Sequence, residues 1–225
     1  METENKLQLL TSEEQRVLGA LIEKSKTTPD YYPLTLNSLV TACNQKSARN
    51  PVVEYDEETV VLALDSLKKK GLTGNVISSG MRALKYRHNL VIAHPLDPAE
   101  TSILCLLLLR GPLTAGEINS NSGRLHDFET LTEVQETLVQ LSNYETPFVS
   151  LLPKRAGQKE ARYCHLFGEI TYGAADGGPE NNSSDFSEEP SRKNVSHQLE
   201  ERLVKVETEL AELKVAFDKL MAELS

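Results

Sequence analysis

Apolar residues recur at helical spacing in three stretches, then alternate in two short runs, and the whole order repeats. Val17, Leu18, Leu21 and Ile22 make one face of a first helix, started by the capping box Thr11-Ser-Glu-Glu14. Two prolines make residues 27–33 a loop. Leu36, Leu39, Val40 and Cys43 predict a short second helix, followed by a polar loop from Asn44 to Pro51. Asp56 caps a third helix that buries Val60, Leu64 and Leu67 and stops at Gly71, where a left-handed residue follows three lysines. Residues 72–77 and 84–90 read as strands joined by the turn Ser78-Ser-Gly-Met81.

The second unit has the same order. Asp97-Pro-Ala-Glu100 starts a helix whose segment Ile103–Leu109 is apolar all round, which predicts deeper burial than its counterpart. Residues 114–120 form a short helix and 121–127 a loop; Thr130 caps a helix running through Leu141. Strands are expected at 148–152 and 162–167, joined by a basic connection over 153–161. The copies align residue by residue. Glu14, Leu18 and Leu21 match Glu100, Leu104 and Leu107; Leu34-Thr35 matches Leu113-Thr114; Val60, Leu64 and Leu67 match Val134, Leu138 and Leu141; Tyr86-x-His88 matches Tyr163-x-His165.

Three helices followed by a hairpin is the order of a winged helix, whose third helix can enter a DNA major groove and whose hairpin tip is the wing. The expected class is therefore α+β, mainly α: winged helices at 1–90 and 91–168, a flexible acidic linker at 169–194 rich in Gly, Ser, Asn and acids, and a coiled-coil helix at 195–225. The last assignment rests on two interleaved seven-residue series. Leu199, Val206, Leu213 and Leu220 form one; Leu203, Leu210, Phe217 and Leu224 form the other. Such a seam implies self-association or a protein partner.

Charge changes the picture only when divided. The net −9 splits unevenly: residues 1–90 carry 12 Lys/Arg and 11 Asp/Glu, 91–168 carry 6 and 9, and 169–225 carry 6 and 13. The acidity therefore belongs to the tail. The polar N-terminus does not read as a signal peptide, and the longest apolar run is too short to span a bilayer, so no membrane role is expected. Cys43, Cys105 and Cys164 lack paired spacing, which points to a reducing cytoplasm and away from a disulfide framework or a metal site.

The run Thr41-Ala-Cys-Asn-Gln-Lys46 followed by Arg49 and Pro51, the segment Leu106-Leu-Leu-Leu-Arg-Gly111 with Thr114, and Tyr163-Cys-His-Leu-Phe167 resemble the YceH family of bacterial proteins. The likeness covers essentially the whole chain. It implies tandem winged helices and a family without an established activity, and it transfers no catalytic or ligand residues.

Candidate chemistry is limited to binding. In the polar loop, Asn44, Gln45, Lys46 and Arg49 could pair with base edges, peptide groups or phosphate, or simply cap a helix and form a hydrated turn. Arg82, Lys85 and Arg87 on the first hairpin, and Lys154, Arg155, Lys159 and Arg162 on the second, could follow a DNA backbone or only solubilise the tips. Against DNA, the third helix begins with Asp56, Glu57 and Glu58, and its counterpart carries Glu133 and Glu136. The repeated Tyr-x-His reads as structural. No nucleophile motif, phosphate loop, dinucleotide fingerprint or metal spacing appears, so neither enzyme activity nor a cofactor is expected. Two readings remain: a DNA-associated or regulatory protein, with double-stranded DNA as partner, and a protein-interaction scaffold.

Overall fold

Helix starts govern the architecture, and a computed structural model describes it for residues 7–76, 84–154 and 158–168. Helix α1 (Ser12–Thr27) opens with the reciprocal Thr11–Glu14 capping box. A single 3-10 turn over Pro29–Tyr31 fills the proline loop. Strand β1 (Leu34–Thr35) leads into α2 (Leu36–Cys43), capped by Thr35, and Asp56 caps α3 (Glu57–Lys69). Each such cap is worth about 1 kcal/mol because it satisfies an otherwise free amide. Gly71 ends α3 with φ +73°, as its place after the lysines predicts. Strands β2 (Thr73–Val76) and β3 (Lys85–His88) follow.

A short helix α4 (Leu90–Ala93) leads to the second half. Helix α5 (Pro98–Arg110) starts on the capping box Asp97–Glu100, and α6 (Ala115–Ser122) on Thr114–Glu117. Helix α7 (Leu131–Asn143) is capped by Thr130, and β4 (Val149–Leu151) and β5 (Tyr163–His165) close the order. The protein is thus mixed α and β, mainly helical, with small antiparallel sheets.

The sheets repeat as the helices do. Strand β3 pairs with β2, Thr73 opposite His88, and with β1, Leu34 opposite Tyr86. Strand β5 pairs with β4, Val149 opposite His165, while Leu113 bridges to Tyr163, the equivalent of the Leu34–Tyr86 contact. Two features were not expected: β1, too short to show alternation, and α4, which occupies the end of the stretch assigned to a strand.

The described residues belong to one compact unit with a continuous core. Helices α1 and α5 are its centre. Every residue of α5 from Glu100 to Leu109 is buried, and this helix touches α1, α6, α7 and β5, which is why its sequence is apolar on all sides. Gly19 permits the close approach of α1 to α5: a Cβ there would lie 2.9 Å from Leu109 Cγ. The Cys105 thiol donates to the Gly19 carbonyl at 3.5 Å, so equivalent residues of the repeat meet face to face.

The two capping glutamates have second tasks that differ. Glu14 holds Lys70 at 2.6 Å, whereas Glu100 accepts the Tyr144 hydroxyl at 2.9 Å. Lys70 and Tyr144 each cap the end of the third helix of their half. The turn at Ser78–Met81, Arg82, Arg155, the 169–194 linker and the 195–225 heptads lie outside the described residues. Among the described residues, no helix is long and apolar enough to cross a membrane.

Candidate functional site

The polar loop after α2 is organised from within. Asn44 Nδ2 donates to the Tyr55 carbonyl and Asn44 Oδ1 accepts from the Tyr55 amide, both at 2.8 Å. Arg49 is buried. Its Nη1 and Nη2 donate to Glu23 at 3.0 and 2.6 Å, and Nη2 also reaches the Ala42 carbonyl and Gln45 Oε1, each at 2.9 Å. Gln45 Oε1 accepts from Lys24 Nζ as well, at 3.2 Å. Ala48 takes a left-handed conformation, φ 58°, to let the chain turn around the guanidinium. Burial raises the cost of ionising Glu23, but the hydrogen bonds and charge of Arg49, helped by Lys24, outweigh it and hold the carboxyl below its ordinary range. Of the four loop residues picked from sequence, Lys46 alone is exposed; Gln45 is half-buried, and the polar groups of Asn44 and Arg49 are engaged inside the protein.

The hairpins divide similarly. Arg87, Lys154 and Lys159 are exposed, and Lys85 is half-buried opposite Thr35 and Val76. Arg162 is an internal clamp: its guanidinium donates to both Glu117 oxygens at 2.8 and 2.9 Å and to the Pro112 carbonyl at 2.9 Å. Lys70, next to the helix dipole it was expected to complement, is likewise paired, with Glu14.

The outer faces of the third helices are acidic and apolar. Helix α3 exposes Glu57, Glu58, Leu62 and Asp65 before Lys68 and Lys69; Leu62 is 64% accessible. Helix α7 exposes Leu131 (43%), Gln135 and Val139 (52%) in one row four residues apart, with Glu136 beside them.

A cavity of about 210 Å³ opens where the two halves meet. Lys24, Gln45, Ser47 and Ala48 line it from the first half; Leu106, Leu109, Arg110, Asn121, Arg124 and Leu125 line it from the second. Asn50 ties its wall together, its amide donating to the Leu109 carbonyl at 2.9 Å. Sequence reasoning did not single out Lys24, Arg110 or Arg124, because they come from three separate elements and no local motif joins them.

The buried thiols and imidazoles have no reactive poise. Burial pushes the Cys43 thiol up to about 12 and raises Cys105 further, so both are protonated core groups. His88 and His165 are driven down to about 4, chiefly by burial. Among the described residues no three His, Cys, Asp or Glu side chains are placed to hold a metal ion.

Comparison with known proteins leads to the same place as the Thr41–Lys46 resemblance. A family described as a protein of unknown function, DUF480, matches residues 10–158. A UPF0502 protein of Shewanella sp. strain ANA-3 is 41% identical over 223 residues, covering 96% of this chain and 99% of the relative. A UPF0502 protein of Opitutus terrae is 46% identical over 176 residues, 77% of this chain and 76% of the relative. Another, from Shewanella baltica strain OS155, is 48% identical over 162 residues, 70% and 73% of the two chains. The names of these relatives state no activity, substrate or partner.

Proposed function

Because the chain belongs to the DUF480 family of proteins of unknown function, we propose a role from its own surfaces: a non-enzymatic, cytoplasmic protein of two tandem winged helices that docks a protein partner on its third helices. The observation that carries this reading is the exposure of Leu62 on α3 and of Leu131 and Val139 on α7, each among carboxylates. In a DNA-reading winged helix this face meets phosphates. Carboxylates repel phosphate, while exposed apolar side chains beside charge suit a protein surface.

Leu62→Lys together with Val139→Lys is expected to remove most captured protein in a nuclease-treated pull-down, with the unfolding free energy of the purified protein within about 0.5 kcal/mol of the parent. An unchanged set of captured proteins rejects the third-helix face. A DNA reading draws on the exposed Arg87, Lys154 and Lys159 of the hairpins. It requires affinity that falls with salt at a log–log slope of about −0.9 per neutralised phosphate, and that disappears when Lys154 and Lys159 become Glu.

The heptad series gives the tail its own part in this proposal, joining copies of the chain through residues 195–224. An isolated helix with one continuous apolar stripe is marginal in water and gains from a partner. Sedimentation equilibrium is expected to show an oligomer that Leu210→Glu with Leu213→Glu converts to monomer. A monomeric parent chain at tens of micromolar rules this part out.

A further inference from the structure

We propose that the cavity between the two halves is a binding site for the phosphate group of a small molecule, held by Arg110 and Arg124 with Lys24. Three cations line it against one carboxylate, Glu23, whose two oxygens accept from Arg49 and which also pairs with Lys24 at 3.3 Å, so Arg110 and Arg124 are left over. The guanidinium groups of Arg110 and Arg124 make no hydrogen bond or ion pair among the described residues. Arg110 is also half-buried, and burial lowers its affinity for the proton; the charge of Glu23 offsets this only in part, and no anion is hydrogen-bonded to the guanidinium among the described residues. A partly desolvated cation with no bonded anion gains from one that pairs with it.

The donor set suits phosphate in particular. Planar guanidinium forks match its oxygens bidentately, and Lys24 adds a point charge. Gln45, Ser47 and Asn121 bring neutral amide and hydroxyl groups to the same space. The apolar floor of Leu106, Leu109 and Leu125 keeps the local dielectric low, which strengthens each of these contacts. At about 210 Å³ the cavity has room for a phosphate or a short phosphomonoester and is smaller than the usual site for a drug-sized ligand. Since the lining comes from both halves, occupancy would bind them together, and the left-handed Ala48 places the loop that closes one side.

The test is calorimetric titration of the full chain with inorganic phosphate and with glycerol 3-phosphate, at ionic strength matched with chloride, and with succinate as the carboxylate control. At least one phosphate compound is expected to bind with a dissociation constant below about 1 mM. Tighter binding of glycerol 3-phosphate assigns the site to a monoester; tighter binding of inorganic phosphate assigns it to the free ion. Arg124→Gln, at an exposed position, and Arg110→Gln are each expected to weaken binding about tenfold or more, while Lys69→Gln, exposed at the end of α3, leaves it unchanged. Three results overturn the proposal: no binding of either phosphate compound, succinate binding as tightly as phosphate, or Arg124→Gln and Arg110→Gln binding like the parent.

Discussion

Lowering the pH from 6.5 to 4 is expected to remove on the order of 5 kcal/mol of folding stability, read as the change in urea-unfolding free energy. His88 and His165 are the source. Each is half-buried with Nδ1 shut off from water, and neutral in the fold, held down to about 4 against an ordinary 6.5, by burial first and, for His88, by Lys26 and Arg87 as well. His88 has Ser25 Oγ 3.2 Å from Nε2, and its Nδ1 is buried without a hydrogen bond, as is Nδ1 of His165. Protonation therefore has little to gain inside the protein. The folded value lies below the unfolded one, so the contribution is complete above pH 6.5 and is lost as pH falls towards 4. Each imidazole accounts for about 3 kcal/mol at the lower limit. His94, packed on Phe148 and Phe167, shifts in the same direction. Because domains are stable by only about 5–15 kcal/mol, mild acid should bring this one close to unfolding. His88→Asn with His165→Asn is expected to flatten the pH dependence over this window. An NMR titration in which either imidazole of the folded protein titrates near 6.5 contradicts the prediction.

Arg49→Ala should destabilise the protein by about 3–5 kcal/mol, the cost of removing one partner from a buried ion pair. The Arg49 side chain is fully buried and that of Glu23 is 14% exposed. Loss of the guanidinium leaves the carboxylate with only Lys24, at 3.3 Å, and frees the Ala42 carbonyl that Arg49 also satisfied. Arg49→Lys should recover little, since an ammonium cannot span Glu23, Ala42 and Gln45 together. Lys46→Ala, three residues away and exposed, should stay within about 0.5 kcal/mol of the parent. Chemical denaturation of the three variants decides the matter: equal costs for Arg49→Ala and Lys46→Ala would show that the loop does not depend on the pair.

Local signals in this chain were legible because they are short in range. The capping box at Thr11, the helix starts at Asp97 and Thr130, the stop at Gly71 and the three apolar faces of each half all concern residues within one or two turns of each other. The equivalence of Leu34-Thr35 and Leu113-Thr114 reappears in two caps and two matching contacts to Tyr86 and Tyr163. The fate of charges was not legible. Lys70 pairs with Glu14, Arg49 with Glu23 and Arg162 with Glu117, all far apart in sequence. A count of cations on a loop or hairpin cannot separate those facing solvent from those paired across the fold. The same blindness hid the cavity, whose free arginines come from the end of α5 and the loop after α6.

The meeting of Gly19 with Cys105 has an implication for how this chain assembles. Gly19 lies against Leu109 and accepts a hydrogen bond from Cys105, its own counterpart, so matching positions of the two halves meet each other. Reciprocity of this sort defines an isologous interface, the kind a two-fold homodimer uses. Here both protomers are covalently one chain, and their association is intramolecular, insensitive to dilution in a way no free dimer is. Joining them also released the copies from having to stay identical. One half keeps a lysine on its capping glutamate while the other places a tyrosine there, and the two line the cavity with unlike residues.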